Sequence, residues 1–271
     1  MQLVAALREA GSVAVAFSGG VDSAVVAKAA TLALGDRAVA VIAESPSLAV
    51  VERDNARTVA GQIGIRLIAI STIEFTRPEY RANAGDRCFF CKDTLYAMAG
   101  QLIQQLNVNC LVNGSNLDDL GDHRPGMRAA DQHGVRSPLI ECQIDKQTVR
   151  ELARFWNLTV AEKPASPCLS SRIAYGVEVT EARVKMVEDA EAALRRLTGL
   201  MEFRVRLEHG DVARIEIPLS DLFRLTESTV RKSIVDELRA CGFQRVTLDL
   251  EGFRSGSLNA ALTDLVPLQI P

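Results

Sequence analysis

The chain has 271 residues, 48% of them hydrophobic and 24% charged, with a formal net charge of -3. That balance belongs to a globular protein of one large domain or two unequal ones, long enough to bury a sizeable core. It gives no global cationic footprint for nucleic acid, and no apolar stretch is long enough to span a bilayer.

Met1-Gln-Leu-Val-Ala-Ala-Leu-Arg-Glu-Ala reads as an amphipathic helix with charges inside it, not as a signal peptide, so a cytoplasmic location is expected. The apolar run Val13–Phe17 reads as a strand, and Val21–Leu34 as a helix. Between them lies Ser18-Gly-Gly-Val-Asp-Ser23, a tight turn opening a helix. Such a turn offers backbone N–H groups and the positive end of a helix dipole to an anion. Gly19 and Gly20 let a phosphate approach the main chain, Ser18 and Ser23 add hydroxyl donors, and Asp22 can hold Mg2+ through oxygen. Neither G-x-x-x-x-G-K-[ST] nor G-x-G-x-x-G is present.

Further strands are expected at Ala38–Ala43, Arg66–Ser71 and Cys110–Asn113, and helices at Ala49–Ile63, Phe90–Leu106 and Lys146–Trp156. The alternation predicts an α/β fold with a parallel sheet and helices on both faces. Ligands in such sheets sit beyond the carboxyl ends of strands, here Ser18-Gly-Gly, Glu44-Ser-Pro-Ser and Gly114-Ser-Asn-Leu-Asp-Asp119. Residues 114–138, with three further glycines and two prolines, read as one long loop. Asp118, Asp119 and Asp122 are either metal and nucleotide contacts or plain loop acids.

A break is expected across 162–180, where prolines and serines oppose helix, and Thr180 reads as the N-cap of a new helix. Strand-like Phe203–Leu207 and Val212–Ile217, a helix at Val230–Ala240 and a strand at Arg245–Leu250 complete a smaller α+β unit. The domains are therefore expected at 1–165 and 166–271, with Ser255–Pro271 uninformative.

Six cysteines in such a chain read as reduced, ligating or catalytic. Cys88 and Cys91 have C-x2-C spacing, fit to ligate one metal or cluster; the alternative is two half-buried thiols at a helix start. Cys168 stands in the Pro-Ser-rich loop beside Arg172, a cation that favours a thiolate. Cys110, Cys142 and Cys241 lie in or beside apolar segments and read as small buried hydrophobes. Three candidate ligands do not complete a structural zinc site but suit a [4Fe-4S] cluster with one open iron. His123, His133 and His209 are dispersed and read as solvated loop residues. Arg204 and Arg206 alternate on a strand, so they share a face, and Arg214 follows. The group can grip a phosphate or carboxylate, or be a solvated face paired with glutamates.

The turn Ser-Gly-Gly-Val-Asp-Ser resembles the PP-loop of ATP pyrophosphatases. Together with Arg-Cys-Phe-Phe-Cys-Lys, Asn-Gly-Ser-Asn-Leu-Asp-Asp, Arg-Pro-Gly-Met-Arg-Ala, Pro-Cys-Leu-Ser-Ser-Arg-Ile and Arg-Val-Arg with Ala-Arg-Ile-Glu, it resembles the LarE family from about residue 10 to about 250. The resemblance implies ATP-dependent sulfur transfer to pyridinium-3,5-biscarboxylic acid mononucleotide, in the making of the nickel-pincer nucleotide cofactor. A ring carboxylate is adenylated, pyrophosphate leaves, and sulfur displaces AMP. It implies ATP contacts at Ser18, Gly19, Gly20, Asp22, Ser23, Gly114 and Asn116, catalytic roles for Asp22 and Cys168, and substrate contacts at Arg172, Arg204, Arg206 and Arg214. Mg2+ is the implied metal. Cys88 and Cys91 match the branch in which three cysteines, with Cys168, hold a [4Fe-4S] cluster; in the sacrificial branch Cys168 would give up its own sulfur. A homo-oligomer and a downstream nickel-inserting enzyme are the implied partners. A PP-loop tRNA thiolase or amide synthetase, and a non-catalytic nucleotide or metal sensor, remain the alternatives.

Overall fold

The computed structural model describes residues 2–121 and 125–254, which fall into two compact units. The first unit comprises 1–77 and 86–166; the second comprises 78–85 with the chain from 167 onward. The eight-residue segment 78–85 thus packs with the second unit, although the chain reaches it from within the first.

The first unit opens with α1 (Gln2–Glu9), β1 (Val13–Ala16), α2 (Val21–Leu34), β2 (Ala38–Glu44), α3 (Val50–Ile63) and β3 (Arg66–Ser71). A short helix of the second unit, α4 (Pro78–Ala82), intervenes. The first unit then resumes with α5 (Arg87–Gln105), β4 (Cys110–Val112), α6 (Pro125–Gln132), α7 (Pro138–Glu141) and α8 (Lys146–Phe155). Its strands form one parallel sheet in the order β3-β2-β1-β4. Period-two alternation sorts the side chains of β1. Val13 and Val15 join a core with α1, α2, α3 and α8, while Ala14 joins a second core with Leu95, Tyr96 and Ala99 of α5 and Ala129 and Ala130 of α6. Helices therefore cover both faces, as expected of an α/β sheet. Helix α2 is apolar on nearly every side because it is buried on nearly every side, with Val21, Ala24–Ala27, Ala29 and Ala30 all in the core.

The expected long loop at 114–138 is broken instead by a 3-10 turn at Leu117–Gly121 and by α6 and α7. Pro125 stands at the first position of α6, where its missing N–H costs nothing, and Ala129 and Ala130 bury one face. Asp122 and His123 lie outside the described residues, as does Ser255–Pro271.

The second unit adds α9 (Glu181–Thr198), β5 (Arg204–Glu208), β6 (Val212–Glu216), α10 (Leu222–Thr226), α11 (Ser228–Ala240) and β7 (Arg245–Leu248). Its mixed sheet runs β5-β6-β7, with β5 antiparallel and β7 parallel to β6. Val205, Leu207, Ala213 and Ile215 are buried, and α9 and α11 pack on the sheet. Thr180 caps α9 by accepting a hydrogen bond from Arg183 N at 3.2 Å. Segment 78–85 is held by Asn83, which is wholly buried. Its amide Nδ2 donates to the carbonyls of Ile173, Ala174 and Val177 at 3.3, 2.8 and 3.2 Å.

Among the described residues no helix is long and apolar enough to cross a membrane.

Candidate nucleotide site and arginine–carboxylate face

In the strand order β3-β2-β1-β4, the chain leaves β1 toward one edge and returns on its other side at β4. That reversal is where α/β sheets bind ligands, beyond the strand carboxyl ends. Ser18–Ser23 follows β1 there, and Asn113–Asn116 follows β4.

The loop is shaped by its own hydroxyls. Ser23 Oγ accepts from Ser18 N at 3.2 Å, lies 3.1 Å from Ser18 Oγ, and donates to Gly20 O at 3.1 Å. Gly20 N donates to Ser18 Oγ at 3.3 Å. Gly20 is the N-cap of α2 with no side-chain cap, so the first-turn N–H groups of the helix keep the anion-facing character of an uncapped N-terminus. Gly19 has φ +72, and a Cβ there would stand 2.7 Å from Ala56 Cα on α3. Asn55 Nδ2, one residue earlier on α3, donates to Gly19 O at 3.2 Å. At Gly114 a Cβ would stand 2.8 Å from Ser23 N, so the β4 loop touches the α2 N-terminus backbone to backbone. The structure therefore brings Ser18, Gly19, Gly20, Asp22, Ser23, Gly114 and Asn116 together.

Asp22 is held from two sides. Asn116 Nδ2 donates to Oδ1 at 3.0 Å, and Lys146 Nζ to Oδ2 at 2.5 Å. Asp118 and Asp119 organise the loop around this pair: Asp119 Oδ2 accepts from Asn116 N at 3.0 Å, and Asp118 Oδ2 from Lys146 N at 3.3 Å. Lys146 and Asn55 were not foreseen from the sequence; no local motif marks either, and only the fold brings them to the loop. The arrangement suits an anion at the loop and a cation at Asp22: uncapped N–H groups, the partly exposed Gly20 and an oxygen donor converge.

Cys88 and Cys91 lie in the first turns of α5, three residues apart on one helical face, the former exposed and the latter partly so. They belong to the first unit and Cys168 to the second. Among the described residues, no group of three or more His, Cys, Asp or Glu side chains is assembled to hold a metal ion. Burial raises the thiol pKa of Cys110, Cys142 and Cys241, in keeping with their reading as apolar filler. His133, read as a solvated loop residue, instead places Nε2 2.7 Å from Asp93 Oδ1.

In the second unit Cys168 is exposed and precedes a 3-10 turn, Leu169–Arg172. Arg172 is spent internally: Nη1 donates to the carbonyls of Pro167 and Cys168 at 2.5 and 3.1 Å, and Nε to Glu191 Oε1 at 3.1 Å. It thus fixes the backbone of the cysteine loop. Arg204 and Arg206 do share a face, and Arg206 stands directly across from Arg214. Carboxylates separate the two cations. Glu216 Oε2 accepts from Arg206, while Arg214 bonds Glu216 Oε1, Glu208 and Asp249 at 2.6, 2.7 and 2.8 Å. Burial, then the cations of Arg172 and Arg206, pull the pKa of Arg204 down.

Comparison with known proteins places these features. The family model described as NAD synthase matches residues 2–88. An uncharacterized protein of Synechocystis sp. is 45% identical over 249 residues, covering 92% of each chain. An uncharacterized protein of Methanocaldococcus jannaschii is 26% identical over 242 residues, covering 89% of this chain and 90% of its own. The pyridinium-3,5-bisthiocarboxylic acid mononucleotide synthase of Lactiplantibacillus plantarum is 37% identical over 263 residues, covering 96% of this chain and 94% of its own. Similarity of that extent, running through the loop after β1 and the arginine strands alike, makes this chain a member of the LarE family of PP-loop proteins.

Proposed function

We propose that this chain is an ATP-dependent sulfur transferase acting on pyridinium-3,5-biscarboxylic acid mononucleotide, on the route to the nickel-pincer nucleotide. The observation that carries the reading is the near full-length similarity to the Lactiplantibacillus plantarum synthase. The PP-loop geometry supports the ATP half of it. A carboxylate oxygen is a poor leaving group. In the proposed reaction that oxygen attacks the α-phosphorus of ATP, pyrophosphate leaves, and a sulfur nucleophile then expels AMP to give the thiocarboxylate.

In this reading Ser18, Gly19, Gly20 and Ser23 cradle the pyrophosphate, Asp22 ligates Mg2+, and Gly114 and Asn116 complete the nucleotide contacts. Mg2+ would offset the charge that develops on the phosphates. Arg172, Arg204, Arg206 and Arg214 serve the phosphate and carboxylates of the mononucleotide, Arg172 by holding the Cys168 loop. Cys168 is the residue of the sulfur step. Residues 1–165 activate and 166–271 bind the acceptor. The reading extends to a [4Fe-4S] cluster on Cys88, Cys91 and Cys168. Among the described residues no three-ligand group is assembled, so that extension rests on the resemblance alone. A cytoplasmic homo-oligomer handing its product to a nickel-inserting enzyme completes the proposal.

The test is isotope exchange between pyrophosphate and ATP. Exchange that depends on the biscarboxylic mononucleotide is the expected result. Exchange independent of it, or none while ATP still binds, would sink the assignment and leave another PP-loop ligase or a nucleotide sensor.

A further inference from the structure

Both oxygens of Asp22 are engaged, and by donors of different kinds. Asn116 contributes a neutral amide, which can stay beside a metal-bound carboxylate. Lys146 contributes an ammonium, which cannot stay where a divalent cation is to sit, because like charges at such range repel strongly. The pair is reachable, with 35% of the Lys146 side chain and 26% of that of Asp22 exposed. Only the head of Lys146 is committed to Asp22. Its backbone is anchored at the first position of α8, where Asp145 caps the helix by accepting from Thr148 N at 2.8 Å and Lys146 N donates to Asp118. A flexible four-carbon arm on a fixed base can move its charge without moving the helix.

We infer that Lys146 is a cation placeholder: it balances Asp22 while the loop is empty, and transfers to the phosphate chain when a divalent cation takes its place on Asp22. The inference rests on the reading of Ser18–Ser23 as the nucleotide loop and deepens it. The reason for the exchange is charge. Without Lys146 the empty site would hold a carboxylate with only an amide for company; with Mg2+ and a polyphosphate bound, the displaced ammonium finds a new anion at the same loop. One lysine thus opposes the metal alone and favours metal and phosphate together.

That opposition gives a test in which two affinities move in contrary directions. Mn2+ binding to the nucleotide-free protein is followed by electron paramagnetic resonance, and binding of Mn2+-pyrophosphate by calorimetry, for wild type, Lys146→Gln and Lys146→Arg. In K146Q, Mn2+ alone is expected to bind about tenfold tighter and Mn2+-pyrophosphate about tenfold weaker, the size of one charge-assisted hydrogen bond. K146R is expected to stay near wild type in both. If both affinities fall together, or neither changes, Lys146 only tethers α8 to α2 and the inference is wrong. Wild type that binds no Mn2+-pyrophosphate would overturn the nucleotide-loop reading itself. A second measurement needs no variant: competitive acetylation of Lys146 in wild type, read by mass spectrometry, should rise with Mn2+ alone and fall again on adding pyrophosphate. A rate indifferent to Mn2+ alone would also overturn the placeholder.

Discussion

Arg206 donates twice to a single oxygen of Glu216, Nε at 3.0 Å and Nη2 at 2.9 Å, with 7% of the arginine side chain exposed and none of the glutamate. The other glutamate oxygen is taken by Arg214. Glu216 is therefore the hinge of charge on this sheet face, standing between two arginines that β5–β6 pairing sets opposite each other.

Removing it should be costly. Glu216→Ala leaves the Arg206 cation buried without this carboxylate and brings it into direct opposition with Arg214. The expected loss is about 3 kcal/mol or more in a denaturant titration. By contrast, the exposed pair of Arg154 and Glu162 should be dispensable, and Glu162→Ala should leave the melting curve unchanged. Equal behaviour of the two variants would refute a buried, stability-bearing role for Glu216.

The two loop glycines should separate fold from function. At Gly20 a Cβ would meet only Ser18 Oγ, at 3.4 Å, whereas at Gly19 it would meet α3 backbone at 2.7 Å from a left-handed conformation. Gly19→Ala should therefore lose both stability, by about 2 kcal/mol, and ATP binding. Gly20→Ala should melt like wild type, since its Cβ meets only Ser18 Oγ at ordinary contact distance, yet bind ATP more weakly if the loop cradles phosphate as proposed. Melting curves and ATP titrations on both variants check this; full ATP affinity in Gly20→Ala would mean that phosphate does not approach there.

Much of this was legible because it is written in contiguous residues. Val13–Ala16 alternates, Ser18–Ser23 follows at once, and the strand–turn–helix reading needed nothing distant. The arginine strands were read correctly as sharing a face, but the carboxylates that neutralise them come from β5, β6, α9 and the end of β7, and no local spacing announces such a network. Lys146 was invisible for the same reason: 124 residues separate it from Asp22. The segment 78–85 is not legible because its allegiance is set by distant partners: Asn83 bonds carbonyls some 90 residues away, and buried Tyr80 bonds Ser170. Residues 114–138 read as loop because glycine and proline oppose helix, yet Pro125 starts one.

A pH dependence should centre on Asp93. Hydrogen bonds from Arg77 and then His133 lower its carboxyl pKa in the folded protein. A depressed folded pKa contributes stability that is fully present above the unfolded value, about 3.9, and is lost as pH falls through the lower folded value. Wild type should thus exceed Asp93→Asn in unfolding free energy at neutral pH, and the gap should close at acid pH. A gap that widens as pH falls below 4 would contradict the assignment.

The source of sulfur can be decided by comparing Cys168→Ala with Cys88→Ala. Adenylation, in the proposed reaction, needs the PP-loop of the first unit and no thiol. Both variants should therefore retain pyrophosphate–ATP exchange while Cys168→Ala forms no thiocarboxylate. The variants part over Cys88. If three cysteines hold a cluster, anaerobically purified wild type contains iron and acid-labile sulfide, Cys88→Ala loses them, and sulfur transfer goes with them. If Cys168 gives up its own sulfur, the protein is iron-free, Cys88→Ala transfers sulfur as wild type does, and intact mass after one turnover shows Cys168 converted to dehydroalanine. Cys168 is exposed, on a loop whose carbonyls Arg172 holds in place, so its sulfur is open to reaction, and iron content and product mass decide between the two donors.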